Sequence, residues 1–363
     1  MKNKKIITIV FFLTSLFAML PLQVAASEFN FAVIPMIPEN QIDKSKTYFD
    51  LKMNQGAEQE LAVVLRNDTS KDVTIETTIN SATTNSNGVV EYDLNQVAPD
   101  KSLQFNIKEL AVTAPEVLIP AGKEVTTKIQ VKMPKETFNG VLAGGITFKE
   151  KEVAGTTNAS SDESGMAIQN KYSYVVAILI RQNQEVVLPD LVLHQVGAAQ
   201  VNARNVIKAN LQNPEAAYLN NLQIAAEITK KGSAKVLYTA TTEDMQMAPN
   251  SNFSYPIALN GQPLEAGDYR LKIVAHGTKD EAGAFEVKNQ DGETIKFGQR
   301  WELTKDFSIT STEAKEFNKA DVTIVKSYTW IYLLIGVLLL LIVIILLFLL
   351  LKKQKKAEEE PKA

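Results

Sequence analysis

The chain has 363 residues, of which 45% are hydrophobic and 22% are charged, with a net charge of −3 and no cysteine. This length suits two globular domains with additional membrane segments better than one domain with a single core. The lack of cysteine excludes disulfides, thiolate nucleophiles and cysteine-ligated zinc. Both ends of the chain are basic, so the part between them is more acidic than the whole. That balance argues against binding nucleic acid or another polyanion through bulk charge.

The N-terminal segment has the pattern of a secretory signal peptide. Three lysines surround its start, an apolar run extends from Ile6 to Leu20, and small residues follow at Val24 and Ala26. We therefore predict that residues 1–26 are a signal peptide cleaved after Ala26. An uncleaved anchor is the alternative.

Residues 29–187 are predicted to form a first β-sandwich. In EVTTKIQVKM apolar and polar residues alternate, which is typical of a strand with one buried face. The stretch ELAVVLRNDTSKDVTIETTI predicts two strands around an Asn-Asp-Thr-Ser turn, and Asn87-Gly88 predicts a tight hairpin. Gly144-Gly145 favours a bulge or a close backbone approach.

Residues 188–310 repeat this scheme. NVIKANLQNPEAAYLNNLQIAAEI reads as strand, asparagine-containing turn and strand, and GDYRLKIVAH alternates again. Short strands separated by turn residues are typical of immunoglobulin-like sandwiches. We predict an all-β protein with two tandem immunoglobulin-like β-sandwich domains and one C-terminal transmembrane α-helix.

The boundary between the two domains has two possible positions. Residues 153–165, VAGTTNASSDESG, are small and polar, so we predict a mobile loop and a possible hinge near 160. The apolar run YSYVVAILIRQ beyond it could instead pair with GGITFKE and close the first sandwich. The hinge would then lie near Pro189, which is the position we favour.

The hydrophobic segment 330–351 is predicted to span a membrane. Its 22 uncharged residues would form a helix about 33 Å long, enough for the hydrocarbon core. The lysines of the tail 352–363 follow at once, which predicts a cytoplasmic tail and an extracellular ectodomain. No LPxTG-like sorting motif precedes the segment, so the helix is expected to remain in the protein.

No sequence pattern points to catalysis, a cofactor or a metal. His194 and His276 lie in separate strand-like contexts, which favours surface or strand histidines over metal ligands. The chain has no G-x-S-x-G elbow, Walker loop or dinucleotide fingerprint. We predict a protein without enzymatic activity. A hydrolase using two distant carboxylates stays open as an alternative.

Several segments, in order, resemble the WxL-interacting proteins of Gram-positive bacteria. They include NFAVIPMIPENQ, INSATTNSNGVVEYD, FNGVLAGGITF, KYSYVVAILIR, LEAGDYRLKIVA and WELTKDFSIT. The resemblance implies a peptidoglycan-binding module with a core at about 29–152 and a second module that binds WxL-domain surface proteins. A start of this second module near 165, by the family's definition, is the alternative to a start at 188. It implies a single-pass cell-surface scaffold, and because the sequence has no cofactor motif, no cofactor is expected. A stand-alone adhesin for host ligands is the alternative.

The tripeptide Trp301-Glu302-Leu303 itself spells W-x-L. Because it lies in a strand-like run near the end of the second domain, we interpret Trp301 as a core residue. The resemblance implies that WxL proteins carry paired motifs of this kind in a separate domain. With one such motif, this chain is not expected to be a WxL protein.

For peptidoglycan glycan we predict contacts from the hairpin residues Thr84, Asn85, Asn87 and Tyr92. Amides and hydroxyls can pair with sugar hydroxyls, and an aromatic face can pack on a sugar ring. The alternative is that these residues form a turn and a piece of core. For the protein partner, we predict strand addition at an exposed sheet edge of the second domain.

Overall fold

The computed structural model describes the chain in five stretches, residues 30–93, 97–151, 172–288, 292–324 and 329–358. The predicted signal peptide, the predicted mobile loop and the last five residues of the predicted tail lie outside them.

The first domain is a two-sheet sandwich. Its elements are β1 (Ala32–Met36), β2 (Phe49–Lys52), β3 (Glu58–Arg66), β4 (Val73–Ser81), β5 (Thr83–Thr84), β6 (Val90–Glu91), α1 (Ile107–Leu110), β7 (Ala111–Thr113), β8 (Glu116–Ile119), β9 (Glu124–Lys132), β10 (Leu142–Glu150) and β11 (Ser173–Arg181). One sheet has the order β1-β3-β9-β7 and the other β2-β11-β10-β4-β8, while β5 and β6 form a separate hairpin. The alternating apolar residues meet between the two sheets, where Phe49 and Phe148 are fully buried.

Strand β11 belongs to the first sandwich by its hydrogen bonds. It pairs antiparallel with β10, from Leu142 opposite Ile180 to Lys149 opposite Ser173, and parallel with β2. The pairing of YSYVVAILIRQ with GGITFKE that the sequence favoured is therefore present.

The second domain is also a sandwich, with longer strands. Its elements are β12 (Val192–Val201), β13 (Arg204–Asn213), β14 (Leu219–Lys230), β15 (Val236–Met247), β16 (Ser251–Ala258), β17 (Gly267–Lys279), β18 (Phe285–Lys288), β19 (Thr294–Ile309) and α2 (Ser311–Ala320). The sheets have the orders β12-β13-β16 and β15-β14-β17-β19-β18. A second, separate core lies between them. The predicted pair of sandwiches is confirmed.

A buried asparagine turns the chain from one sheet to the other in both domains. The Asn67 amide donates to the backbone carbonyls of Lys71 and Ile119, at 2.7 and 3.0 Å. The Asn213 amide donates to those of Ala217 and Ala248, at 2.7 and 3.1 Å. Both side chains are fully buried and donate to backbone carbonyls at the corner between the sheets.

Helix α2 fastens the end of the second domain. It begins with a capping box formed by Thr310 and Glu313. The Asn318 side chain bonds both the N–H and the C=O of Leu264, and a carboxylate oxygen of Asp321 accepts from the Asn205 N–H at 2.7 Å. After this strap comes helix α3 (Thr329–Glu358).

Helix α3 contains the predicted membrane segment. Among the described residues it is the one helix that is long and apolar enough to cross a membrane, through Ile331–Leu350, and no other part of the protein covers that stretch. The predicted C-terminal transmembrane helix is therefore supported by length and composition.

Candidate binding site at the domain junction

The hairpin of β5 and β6 lies against the second domain. The Thr84 hydroxyl is 2.7 Å from the Ser251 hydroxyl and accepts a 2.9 Å hydrogen bond from the Ala248 N–H. At the tip, the Gly88 carbonyl accepts from the Gln246 N–H at 2.7 Å. The Asn-Gly turn that the sequence predicts thus forms, and it joins the two sandwiches.

Two glycines let the backbones of the domains approach closely. Gly88 has φ +69°, and a Cβ there would lie 2.6 Å from the Met245 Cγ. Gly140 has φ +84°, and a Cβ there would overlap the Ala216 carbonyl oxygen. Next to it, the Val141 N–H donates to that same oxygen at 2.7 Å. Glycine is needed at both positions for the conformation and for the contact.

A small apolar cluster and a pair of phenols fill the junction. The buried residues of the apolar cluster are Ala82, Val141, Ala143, Leu179 and Ala248. Beside them, the Tyr92 and Tyr218 hydroxyls are 3.0 Å apart. Burial raises the pKa of both phenols, so they stay neutral and bonded to each other.

Asp100 makes a polar bridge across the junction. Its carboxylate accepts hydrogen bonds from Gln212, at 2.7 Å, and from Asn252, both in the second domain. Burial raises the pKa of Asp100, but hydrogen bonds from Ser102, Asn252 and Gln212 outweigh this and leave the pKa below its ordinary value.

A cavity of about 350 Å³ opens beside this bridge. It lies between residues 102–105 and 137–142 of the first domain, with Ala216 and Asn250 of the second domain on the other side. A smaller cavity of about 170 Å³ shares Leu103 and Asn250 with it in its lining. The lining of the smaller cavity includes Ala82 and Thr83, next to the predicted site residue Thr84.

The structure divides the four predicted glycan-contact residues. Thr84 is buried against the second domain and Tyr92 bonds Tyr218, so both serve the junction. The Asn85 side chain accepts from the N–H groups of Asn87 and Val89 inside the turn, and Asn87 is exposed. Their contact with glycan stays a prediction.

The other residues that the sequence analysis discussed have structural contacts. Trp301 is half-buried in β19, packs on the second core, and donates its indole N–H to Asp190 at 2.8 Å. His194 and His276 lie in β12 and β17. Within the described ranges, no group of three or more His, Cys, Asp or Glu side chains could hold a metal.

Sequence reasoning missed Asp100 and Asn250. Asp100 precedes Ser102 in an Asx turn, in which its carboxylate accepts the Ser102 N–H at 2.8 Å. Asn250 adopts φ +49°, in a turn just before β16. Both are turn signals in the sequence, but nothing local shows that the two turns meet across the junction.

Solved structures similar to this chain include bacterial chaperones. The E. coli chaperone DraB is 13% identical with a TM-score of 0.27, over 77% of this chain and 97% of that chain. The Pseudomonas aeruginosa CupB2 chaperone is 12% identical with a TM-score of 0.25, over 71% and 96%. A chain of the Salmonella enterica SafA pilin complex with the SafB chaperone is 11% identical with a TM-score of 0.28, over 78% and 99%. Nothing about function follows at these values.

Two family models match most of the chain, whereas the comparison with curated proteins gave no match. The model described as WxL Interacting Protein, peptidoglycan binding domain matches residues 31–150. The model described as WxL Interacting Protein, host binding domain matches residues 163–319. The second match starts before β11, which pairs within the first sandwich, so the limits of the two functional modules stay a prediction. The family and the order of its domains are those that the sequence resemblance predicted, and the chain belongs to the WxL interacting protein family.

Proposed function

We propose that this protein is a membrane-anchored scaffold of the Gram-positive cell surface that binds without catalysing a reaction. Its first domain binds peptidoglycan, and its second domain captures surface proteins that carry WxL domains. The observation that carries the proposal is the tandem of a peptidoglycan-binding match and a host-binding match on one chain, followed by an apolar helix.

The apolar helix supports the proposed anchor. Ile331–Leu350 has 20 residues, or about 30 Å of helix, which equals the thickness of a bilayer hydrocarbon core. Tyr332 stands near one end, and Lys352 and Lys353 follow the other. Aromatic residues favour the headgroup layer and lysines favour the cytoplasmic side, so the two sandwiches would face outward.

The strap at the end of the second domain supports a position close to the membrane. Asp321 and Val322 are hydrogen-bonded to Asn205 and Ala203 of the second domain. From residue 324 to the start of α3 at Thr329, even a fully extended chain reaches only roughly 18 Å. The second domain would therefore stand near the outer leaflet, beneath the wall.

This position bears on the choice of protein partner. A WxL-domain protein secreted by the same cell crosses that membrane and meets the domain on its way outward. A host molecule would have to pass through the wall first. We therefore put capture of a WxL-domain protein ahead of direct host binding.

Direct binding of a host ligand is the second candidate. It is favoured by the description of the second family model as a host binding domain. The two candidates differ in the partner that residues 30–324 should retain on a surface.

A binding assay separates these functions. Immobilised residues 30–324 would be offered a WxL-domain protein, fibronectin and collagen in turn, and mixed with purified sacculi in a sedimentation assay. We expect retention of the WxL-domain protein and sedimentation with sacculi. Retention of the host proteins alone would support the second candidate, and release of soluble muropeptides from the sacculi would indicate a hydrolase.

For the protein partner we propose strand addition to an edge of the second domain. The edge strands of its sheets are β12, β16, β15 and β18, and an edge strand carries N–H and C=O groups that another chain can pair with. Proline substitutions at outward N–H groups of each edge strand should identify one edge whose loss abolishes capture. If every edge tolerates proline, the partner binds in another way.

A further inference from the structure

The cavity of about 350 Å³ at the domain junction has the size of a small-ligand site. Most of its lining comes from the first domain, and Ala216 and Asn250 of the second domain complete it. The second-domain wall is held in place, since the Asn250 amide donates to the Pro214 carbonyl at 2.7 Å. The cavity thus exists only while the two domains stay in contact.

The lining combines amides and a hydroxyl with an aromatic pair. Gln104, Thr137 and Asn139 contribute exposed polar side chains. Phe105 and Phe138, both half-buried, have ring centroids 5.7 Å apart with planes at 48°. Amide and hydroxyl groups can both donate to and accept from sugar hydroxyls or an acetamido group. The rings offer an apolar surface to the C–H face of a pyranose.

The lining also discriminates by charge. None of the described lining residues is charged, and a carboxylate bonded to a lining side chain, Glu185, accepts from the Asn139 amide at 2.6 Å. A carboxylate moved into such a site loses hydration without gaining a cation. Peptidoglycan stem peptides end in carboxylates, whereas N-acetylglucosamine is neutral.

We propose that this cavity binds a neutral N-acetylated sugar of the peptidoglycan glycan strand, and that the second domain completes the site. The proposal rests on the proposed function of peptidoglycan binding and adds to it the part of the wall that is recognised. It also assigns a role in wall binding to Ala216 and Asn250, which lie outside the match to the peptidoglycan-binding domain.

The test uses the full-length protein in detergent micelles with two defined probes. These are the tetramer of N-acetylglucosamine and a free stem pentapeptide, each titrated by calorimetry or NMR. We expect saturable binding of the sugar and none of the peptide. Binding of the peptide without the sugar, or of neither, would overturn the proposal.

Three variants localise the binding. Phe138→Leu keeps apolar bulk but removes the ring, and Gln104→Ala removes an exposed amide. Each should weaken sugar binding by about ten-fold, because this is the typical effect of losing one such contact. Gln262→Ala is the matched control, because it removes an exposed amide at the α2 end of the second domain and should leave binding unchanged. Equal affinity of the wild type and both cavity variants would overturn the proposal.

A fourth variant tests the second domain. Asn250→Gly keeps the positive φ accessible while removing the side chain that the second domain contributes to the lining. Sugar binding should fall although the thermal midpoint of the first domain is retained. Unchanged binding would show that the second domain contributes nothing to the site.

Sedimentation with sacculi separates failure of this proposal from failure of the proposed function. If the wild-type protein does not sediment with intact sacculi, peptidoglycan binding itself is wrong. If it sediments with intact sacculi but not with sacculi stripped of stem peptides by an amidase, only the sugar assignment is wrong. We expect the wild-type protein to sediment with intact and with stripped sacculi, and the Phe138→Leu variant to sediment less with each.

Discussion

The two sandwiches share a framework and differ in what is added to it. Each turns its chain between sheets on a fully buried asparagine, Asn67 in one and Asn213 in the other. The first domain adds a two-stranded hairpin and the long connection that holds Asp100, and both lie against the second domain. The second domain has long strands, up to Thr294–Ile309, and adds a helical strap at its other end.

This difference indicates a division of work. The additions to the first domain build the junction and its cavity, so a ligand site there depends on both domains. The addition to the second domain leads to the apolar helix α3, the proposed membrane anchor. We propose that the shared framework carries stability and that the additions carry binding and placement.

The largest expected effect comes from breaking the shared framework. Asn67→Ala and Asn213→Ala each remove a buried amide that donates to backbone carbonyls at the corner, and each should cost about 3 kcal/mol of unfolding free energy. Only Asn213→Ala should also loosen the junction. The Asn213 amide holds the Ala248 carbonyl, and the Ala248 N–H donates to Thr84 in the first domain.

Calorimetry combined with hydrogen exchange checks this comparison. Asn67→Ala should lower the melting transition of the first domain with the Ala248 amide still protected, whereas Asn213→Ala should expose that amide. Equal exposure in the two variants would mean that the corners are not independent.

The next effect concerns the close approach at Gly140. Gly140→Ala and Gly122→Ala both place a side chain at a positive φ, a backbone cost of about 1 to 2 kcal/mol. At Gly122 a Cβ meets nothing within 4 Å, but at Gly140 it overlaps the Ala216 carbonyl. Only Gly140→Ala should therefore separate the domains.

Small-angle scattering of residues 30–324 measures whether the two domains separate. The radius of gyration should rise for Gly140→Ala and stay at the wild-type value for Gly122→Ala, with sugar binding lost only in the first. A compact Gly140→Ala variant would show that the junction adjusts to the added methyl group.

A smaller effect is expected at the hairpin. Thr84→Val keeps the shape but removes the hydroxyl that pairs with Ser251 and accepts from Ala248, at a cost of about 1 kcal/mol. Asn87→Ala, at an exposed turn position, is the control. Faster exchange of the Ala248 amide should follow Thr84→Val alone; the same change in both variants would place the hairpin contact elsewhere.

The smallest effect is the pH dependence of the Asp100 bridge. Its pKa is lower in the folded protein than the ordinary 3.8. The bridge therefore contributes fully above the ordinary pKa, and its contribution is lost as the pH falls through the lower folded value. The difference in unfolding free energy between wild type and Asp100→Asn should shrink below about pH 4. A difference that is constant from pH 7 to pH 3 would contradict this.

Local sequence chemistry predicted much of the fold. The hairpin followed from Asn87-Gly88, and the close packing at Gly144-Gly145 is confirmed, because a Cβ at Gly145 would lie 2.7 Å from the Tyr92 Cβ. The partner of Thr84 could not be predicted, since Ser251 is 167 residues away. Turn residues in a sequence predict a local turn but do not show which distant turn it will contact. The cavity between the two domains was missed for this reason.

The central claim is that one molecule holds a wall ligand and a WxL-domain protein at the same time. The most direct test immobilises a WxL-domain protein, adds residues 30–324, and then adds solubilised glycan strands, with the WxL-domain protein alone as reference. The account predicts a second rise in bound mass above the reference. Failure of the WxL-domain protein to retain this chain, or no further rise with glycan, would contradict it.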